Sequence, residues 1–235
     1  MKILNLVLVD KNGRKSPFEF RVRRLLNAGF TGRNQELVMK HVEELRRHGV
    51  AAPDKIPAFY PVPRHLVTTD EEIEVLGEQT SGEIEPVFLF KEGRVYVAVG
   101  SDHTDRGLEK TSIANSKVAC PKVISRELWD YEEVKEGWNR LVLRSWVGKG
   151  SGKKLYQEGP LSAFLSPQEL ILKTQEHIKD HDLEGMVLFL GTLPMLDKEF
   201  VFSNTFEGEF LDEAMKRRLS LGYRVRPMDW LLAES

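Results

Sequence analysis

The stretch from Ser81 to Lys122 constrains the fold of this chain more than any other part of the sequence. It contains two near-continuous apolar runs, PVFLF and VYVAV, which are separated by the turn KEG and its flanking residues. Short apolar runs bounded by turn residues predict two buried, paired β-strands. Carboxylates are poor strand formers, so Glu83 and Glu85 at the start of this segment require a separate explanation.

These two glutamates are two residues apart, so on a strand their side chains project from the same face, with Cα atoms roughly 6.5–7 Å apart. If the two strands pair antiparallel, Asp102 at the end of the second strand returns to the level of both glutamates. Three close carboxylates repel one another unless a cation lies among them, and oxygen-only ligands favour Mg²⁺, Mn²⁺ or Ca²⁺ over zinc. A second interpretation stays open, in which the glutamates form a solvated strand face and Asp102 is a turn residue.

The first third of the chain predicts a hairpin followed by one clear helix. Lys2–Val9 and Pro17–Val22 flank the turn KNGRKS, whose Asn-Gly pair favours a tight hairpin. Apolar residues recur at helical spacing from residue 34 to residue 48, and Asn34 is a suitable N-cap. The proline-rich segment 50–62 is incompatible with a regular helix or a central strand and predicts an extended connector.

The rest of the chain alternates helical and apolar segments. The sequence predicts helices over 107–117, 167–177 and 211–219, and a short strand over 186–190 that runs into Gly191 and Thr192. Together with the strands already described, this pattern predicts an α+β fold that is rich in strands.

His41 and Glu44 are three residues apart on the predicted helix, so their side chains are neighbours on one face. One interpretation is that Glu44 orients His41 as a proton acceptor. The other is that Glu44 pairs with Arg47 or His48 and His41 is a half-buried helix residue.

Composition excludes several classes of protein. The 34 basic and 36 acidic residues give a formal net charge of −2, and no Lys/Arg block is present, which argues against nucleic acid as a partner. The N-terminal apolar run is shorter than a membrane span and lacks a signal-peptide cleavage site. With Cys120 as its single cysteine, the chain cannot form an internal disulfide, and the favoured interpretation of Cys120 is a small buried side chain. A cytoplasmic location is therefore expected.

The order of these features is similar to that of the fumarylacetoacetate hydrolase superfamily. Its members carry G-R-N…H-x-x-E, then E-x-E, a strand ending in D-x-x-x-R, a lysine, and a late strand ending in G-T. The chain matches these motifs in order with Gly32-Arg33-Asn34, His41 and Glu44, Glu83 and Glu85, Asp102 and Arg106, Lys117, and Gly191-Thr192. The match runs from about residue 30 to 195 and looks closest to an uncharacterised bacterial branch.

The resemblance implies a rolled, mixed β-sheet core with a few peripheral helices, organised as a single domain over 1–235. In that domain, 1–30 holds the N-terminal hairpin and 34–48 forms a lid-like helix. The resemblance also implies a homodimer. It further implies that Glu83, Glu85 and Asp102 bind Mg²⁺ or Mn²⁺, with Ca²⁺ as a further option.

By the same resemblance, His41, Glu44 and Lys117 are the catalytic residues. The remaining implied site residues bind the substrate and are Arg33, Tyr60, Arg106 and Thr192. The implied reaction is C–C hydrolysis of a 2-oxo or β-dicarbonyl acid, with hydration or decarboxylation as alternatives.

The chain departs from the family pattern at two places. Tyr60 and Pro61 stand where many members have a basic residue, and His103 and Asp105 are unusual beside Asp102. These departures favour a third possibility, a binding protein that keeps the fold and the metal but has no turnover.

Overall fold

The computed structural model describes residues 1–47 and 52–230, and for His41, Glu44 and Leu45 it describes the backbone alone. Strands dominate these ranges. In chain order the strands are β1 (Lys2–Val9), β2 (Lys15–Val22), β3 (Arg24–Gly29), β4 (Ala58–Val62), β5 (Val67–Thr68), β6 (Glu72–Val75), β7 (Thr80–Ser81), β8 (Ile84–Lys91), β9 (Arg94–Asp102), β10 (Thr104–Asp105), β11 (Lys122–Ile124), β12 (Glu127–Asp130), β13 (Val142–Val147), β14 (Lys154–Pro160), β15 (Met186–Phe189), β16 (Thr205–Asp212) and β17 (Arg217–Pro227). The α-helices of the same ranges are α1 (Gln35–Arg47), α2 (Arg106–Glu109), α3 (Ile113–Val118) and α4 (Pro167–His177).

The larger sheet has the strand order β2-β1-β12-β9-β8-β15-β3-β4, with β11 paired to β9 and β5 paired to β11. Most neighbours are antiparallel, whereas β1–β12, β15–β3 and β11–β5 are parallel. One face of this sheet buries Leu4 and Phe18 from one end of the strand order together with Leu25 and Val62 from the other end. Strands from opposite ends can share one core only if the sheet curls, so the sheet is both mixed and rolled.

The smaller sheet, ordered β14-β13-β16-β17-β6, packs against the other face of the larger one. A second buried cluster joins Phe88 and Trp129 of the large sheet to Leu143, Phe210 and Leu219 of the small sheet. The α+β, strand-rich fold class is therefore as predicted.

Helix α1 begins where its cap predicts. Asn34 accepts a hydrogen bond through Oδ1 from the backbone N–H of Leu37 at 3.1 Å, which satisfies one of the free donors of the first turn. The helix runs from Gln35 to Arg47, and the predicted last residue, His48, lies outside the described residues. None of the helices in the described ranges is long and apolar enough to cross a bilayer.

Two predictions of local structure need correction. The helix predicted over 107–117 is two short helices, because Ser112 caps α3 by accepting from the N–H of Asn115. The helix predicted over 211–219 is wrong: β16 ends at Asp212, a turn follows over 213–216, and β17 begins at Arg217, which pairs with Asp212. The proline-rich connector ends as β4, which lies at the edge of the large sheet, where proline costs no ladder bond; this agrees with the prediction that the segment is not a central strand.

Candidate metal centre

The hairpin of β8 and β9 brings three carboxylates together at its open end. Glu85 is opposite Gly100, and the N–H of Asp102 donates to the carbonyl of Glu83 at 3.0 Å. One oxygen from each of Glu83, Glu85 and Asp102 lies within 4.8 Å of the others. The cluster is formed locally, since β9 returns to the level at which β8 begins.

Such a cluster is unfavourable without cations. At an effective dielectric constant of about 20, two carboxylates within 4.8 Å of each other repel by about 3 kcal/mol or more. The structure supplies positive charge from three side chains, and the first two of them are lysines that converge on Asp102.

Lys117 on α3 contacts Oδ2 of Asp102 and lies 3.7 Å from Oε2 of Glu83. Lys122 at the start of β11 lies 3.0 Å from Oδ1 of Asp102 and donates to the carbonyl oxygens of His103 and Cys120 at 2.6 and 2.9 Å. Both ammonium groups are buried. Asp102 is thus held between two cations.

The charges in this group shift one another's ionisation. Burial opposes ionisation of Asp102, but Lys117 and Lys122 outweigh it and hold the pKa of Asp102 below its usual range. Burial also opposes the charge of Lys117, yet Asp102 and the two glutamates raise the pKa of Lys117 above its usual range. Burial lowers the pKa of Lys122, and the attraction of Asp102 offsets this only in part.

Arg106 is the third cation and it holds Glu83 from the other side. Its Nη2 lies 3.1 Å from Oε1 of Glu83, its Nη1 donates to Glu109 at 2.8 Å, and its Nε donates to the hydroxyl of Ser81 at 2.7 Å. The guanidinium is buried, and the ring of Phe200 covers it with its centroid 4.2 Å from Cζ. In this structure Arg106 therefore binds protein carboxylates.

Glu85 is the carboxylate that most needs another cation. It is 2 % exposed, and Oε2 accepts from the N–H of Gly191 at 2.8 Å. Burial, and next the charge of Asp102, raise the pKa of Glu85 well above its usual range. A divalent cation beside Glu85 would offset both effects, because an adjacent positive charge stabilises the ionised carboxylate.

The donor set fits such an ion. Carboxylate oxygens are the ligands that Mg²⁺, Mn²⁺ and Ca²⁺ prefer. Both oxygens of Asp102 already contact ammonium groups, but each carboxylate oxygen has two lone pairs and accepts a second partner. Counted in their ionised forms, the four carboxylates of Glu83, Glu85, Asp102 and Glu109 and the three cations of Lys117, Lys122 and Arg106 carry a net formal charge of −1. A divalent ion together with an anionic ligand suits that balance.

Position 191 requires glycine both for its backbone conformation and for the space around it. Its φ of +99° lies in the region that favours glycine, and a Cβ there would be 2.1 Å from Oγ1 of Thr31. This conformation turns the chain out of the sheet after β15 and leaves the N–H of Gly191 free to bind Glu85. The Gly-Thr pair singled out in the sequence thus contributes through the backbone of its glycine.

The other predicted substrate-binding residues lie in different surroundings. Thr192 accepts from Gln157 and donates to the carbonyl of Ile84 at 2.8 Å. Tyr60 on β4 has its ring centroid 6.0 Å from Nζ of Lys117, and its buried hydroxyl has no hydrogen-bond partner among the described residues.

Two parts of the predicted site are not joined to the carboxylates by any described contact. Arg33 is exposed and donates to the carbonyl of Phe164 and the amide oxygen of Asn139, at 3.0 and 2.7 Å. The side chains of His41 and Glu44 lie outside the described residues, so their predicted pairing stays a prediction.

Sequence reasoning missed two residues of the site. Lys122 is a fully buried lysine that opens the apolar run KVI, and a charge at such a position is the signal that marks it. Gln157 lies in a strand of the small sheet and reaches the loop after β15. No motif around Gln157 indicates this contact.

Several solved structures have a fold similar to that of this chain. The crystal structure of Cg1458 with inhibitor is similar to this chain with a TM-score of 0.62 and 14 % identity, over 92 % of this chain and 83 % of that chain. A 2-keto-3-deoxy-D-arabinonate dehydratase complexed with magnesium and 2,5-dioxopentanoate gives a TM-score of 0.60 and 16 % identity, over 88 % and 74 %. The 4-oxalocrotonate decarboxylase from Pseudomonas putida G7, complexed with calcium and acetate, gives a TM-score of 0.57 and 12 % identity, over 86 % of this chain and 76 % of that chain.

The likeness to these structures, at 12–16 % identity, confirms the rolled, strand-rich fold that the resemblance to the fumarylacetoacetate hydrolase superfamily implies. The dehydratase and the decarboxylase hold magnesium or calcium, and this chain carries a carboxylate triad that could bind such an ion. No curated protein sequence matches the chain.

A family model described as a protein of unknown function, DUF2848, matches residues 28–223. The match covers most of the 235 residues and includes every predicted site residue from Arg33 to Thr192. The chain therefore belongs to the DUF2848 family.

Proposed function

We propose that this protein is a divalent-metal-dependent enzyme that acts on a 2-oxo acid or a β-dicarbonyl acid. The observation that carries the proposal is the carboxylate triad within 4.8 Å, with a buried lysine in contact with it. The fold neighbours support the substrate class, since two of them are named as enzymes of 2-oxo acids. C–C hydrolysis of an acylpyruvate-type substrate is the reaction we place first.

Glu83, Glu85 and Asp102 would hold Mg²⁺ or Mn²⁺, with Ca²⁺ as a further option. Such an ion supplies Lewis-acid chemistry, since it binds carboxylate and keto oxygens and draws electrons from the carbon beside them. Lys117 would add positive charge where negative charge develops on the substrate. Its contact with Asp102 fixes the position of its ammonium group.

His41 would act as the base, oriented by Glu44 on α1. In hydrolysis it takes a proton from water, the hydroxyl adds to the acyl carbonyl carbon, and the C–C bond breaks to leave an enolate that recovers the proton. Tyr60, Arg106, Thr192 and Arg33 would bind the substrate.

A lyase reaction is the second candidate. The dehydratase and decarboxylase among the fold neighbours favour it, and both reactions also develop negative charge beside the keto group. The third possibility, a protein that binds a metal and a small acid without turnover, rests on the altered segment around Tyr60 and Pro61.

Product analysis separates these candidates. The purified protein is incubated with Mg²⁺ or Mn²⁺ and a panel of acylpyruvates, oxaloacetate and hydroxylated 2-oxo acids. Hydrolysis yields a carboxylic acid and a 2-oxo acid, decarboxylation releases CO₂, and dehydration releases water with no bond broken between carbons. Turnover that depends on the metal and disappears in His41→Ala supports an enzyme, whereas binding without any turnover supports the third possibility.

The metal site has a direct test in Glu85→Gln. The amide keeps the acceptor for the N–H of Gly191 but removes the charge, so we expect the apo protein to fold. Calorimetric titration should show Mn²⁺ affinity reduced by roughly 100-fold or more, because even partners outside the ligand shell contribute 10–100-fold.

Glu207→Gln is the matched control for that variant. Glu207 also belongs to a Glu-x-Glu pair on a strand, but it is exposed and pairs with Lys153 at 2.6 Å. Its substitution should leave Mn²⁺ affinity unchanged. Equal affinities in the wild type and Glu85→Gln would contradict the assignment of the site.

Three further properties belong to this proposal. Residues 1–235 would form one domain, supported by the buried cluster shared between the two sheets. The protein would be a cytoplasmic homodimer that binds a small carboxylate substrate, without nucleic acid or membrane partners. Light scattering of the purified protein measures the oligomeric state.

A further inference from the structure

The peptide unit between the two glutamates of the candidate metal centre is held by side chains of distant segments. Pairing between β15 and β8 proceeds through Phe189 opposite Val87, and the N–H of Leu190 donates to the carbonyl of Pro86 at 3.1 Å. The chain then leaves the sheet at Gly191. Continuation of β15 would have placed Thr192 opposite Ile84, so the outward-facing backbone groups of Ile84 lose their strand partner.

Two side chains replace that missing strand. The N–H of Ile84 donates to Oε1 of Gln157 at 3.0 Å, and the carbonyl of Ile84 accepts from Oγ1 of Thr192 at 2.8 Å. Nε2 of Gln157 donates to Oγ1 of Thr192 at 2.9 Å, which closes a ring of three hydrogen bonds around one residue. We call this ring of Ile84, Gln157 and Thr192 the Gln157 clamp.

The amide of Gln157 and the backbone of Ile84 are buried in the clamp, whereas Thr192 is half-buried. Gln157 is 1 % exposed, and Ile84 is completely buried. The side-chain amide of Gln157 makes two further hydrogen bonds: it accepts from the hydroxyl of Ser145 at 3.1 Å and donates to the carbonyl of Leu193 at 2.6 Å. A buried amide with four partners has one orientation, because any rotation leaves buried polar groups unpaired.

Ile84 is the residue between Glu83 and Glu85, so fixing its N–H and C=O fixes the backbone from which both carboxylates project. We propose that Gln157 is a positioning residue for the metal centre, acting through Ile84 and Thr192 on the separation of the two glutamates. The inference rests on the proposed function, since it assigns the clamp a role toward the divalent ion.

The role of Thr192 becomes more specific in consequence. Its hydroxyl both accepts from Gln157 and donates to Ile84, so one lone pair is left on that oxygen for a ligand. The clamp thus uses the hydroxyl of Thr192 for positioning, and at the same turn the N–H of Gly191 holds the carboxylate of Glu85.

Gln157→Leu tests the proposal, with Mn²⁺ alone as the probe. The leucine is similar in size and removes all four hydrogen bonds of the amide, among them those to Ile84 and Thr192. We expect a roughly 10- to 100-fold weaker Mn²⁺ affinity by calorimetric titration, the usual effect of removing a partner that orients a metal ligand. Hydrogen exchange provides a readout without metal: the Ile84 amide should exchange faster in Gln157→Leu than in the wild type.

Ser145→Ala is the matched control. It removes one hydrogen bond to the same amide, on the same pair of strands, without touching Ile84. Mn²⁺ affinity and exchange of the Ile84 amide should stay as in the wild type. A general effect of destabilising the small sheet would instead weaken Mn²⁺ binding in both variants and would overturn the proposal.

Thr192→Val covers the case in which Gln157→Leu does not fold. It removes the bond to the carbonyl of Ile84 and keeps the size of the side chain, and it should also weaken Mn²⁺ affinity. Unchanged affinity in a folded Gln157→Leu or in Thr192→Val overturns the positioning role alone. A wild-type protein that binds no Mn²⁺ overturns the proposed function and this inference with it.

Discussion

Charge compensation around Asp102 shows what single residues contribute to this site. Asp102 stays ionised between the buried Lys117 and Lys122, and the backbone carbonyl groups of residues 103 and 120 accept the other hydrogen bonds of Lys122. Buried charges without such partners cost several kcal/mol each. The pairing therefore keeps Asp102 available as an anion in a dry environment, which is what a metal ligand requires.

His103 carries a different consequence of burial. Its two ring nitrogens lie 2.9 Å from the hydroxyl of Tyr223 and 2.9 Å from the hydroxyl of Thr80. Burial, and next the charges of Lys122 and Arg106, lower the pKa of His103 to about 3 from its ordinary value of 6.5. The folded protein thus holds this ring neutral at a pH where an exposed histidine would be protonated.

That shift predicts a pH dependence of stability. Between pH 6.5 and pH 3 the unfolded chain binds a proton at residue 103 that the folded chain does not. The unfolded state is therefore favoured as the pH falls, and this contribution to the free energy of unfolding declines by about 1.4 kcal/mol per pH unit. Urea titrations of the wild type and His103→Gln at several pH values should show a difference in stability that shrinks by about this amount.

His65→Gln is the control for that measurement. His65 is exposed in the folded chain, and its variant should keep the wild-type pH dependence. A constant stability difference between wild type and His103→Gln across this pH range would contradict the assignment.

At the scale of elements, local signals predicted well what depends on neighbours in sequence. The β8–β9 hairpin follows from two apolar runs and a turn, and α1 follows from its period and the Asn34 cap. The segment after β16 was mispredicted because DEAMKRR has high helix propensity. Pairing of Asp212 with Arg217, whose side chains also form a 3.2 Å ion pair, overrides that propensity.

The site divides in the same way. Glu83, Glu85 and Asp102 come from one hairpin, so the antiparallel return of β9 was enough to predict their convergence. Lys122 reaches the site from β11, and Gln157 contacts Ile84 and Thr192, which are 73 and 35 residues away from it in sequence. These contacts exist only once the sheets are assembled. Periodicity and spacing carry no information on such contacts.

Packing between strands β16 and β8 gives a prediction at this scale. A Cβ on Gly208 would lie 2.3 Å from Cδ1 of the buried Ile84, whereas a Cβ on Gly222 of the adjacent strand would meet its nearest atom, Cγ of Glu207, at 3.6 Å. We expect Gly208→Ala to lower the free energy of unfolding by about 1–3 kcal/mol, the usual cost of overpacking.

Gly222→Ala should cost nothing comparable, and it corrects for the change in strand propensity because both glycines lie in paired strands. Chemical denaturation of the two variants measures the difference. Equal stability of Gly208→Ala and Gly222→Ala would show that β16 does not pack closely on Ile84.

The whole molecule is organised as a curled sheet covered on one face by a smaller one. Tryptophans report on the junction between them: Trp129 and Trp138 both pack on Phe210 of the small sheet, with ring centroids 5.5 and 6.0 Å apart. The candidate metal centre also depends on both sheets, since the carboxylates come from the large sheet and Gln157 comes from the small one. Loss of either sheet would therefore remove the site.

Shared packing predicts that the two sheets unfold together. Tryptophan fluorescence and far-UV circular dichroism should give one coincident transition in denaturant, as expected for a single cooperative unit. Leu219→Ala removes a fully buried side chain of the small sheet. It should lower the free energy of unfolding by about 2–5 kcal/mol, and by the same amount whether fluorescence or circular dichroism is followed. Leu172→Ala on α4, where the leucine is 60 % exposed, should shift neither. Separate transitions, or a Leu219→Ala variant in which only one signal moves, would mean that the sheets fold independently, and residues 1–235 would then not form a single domain.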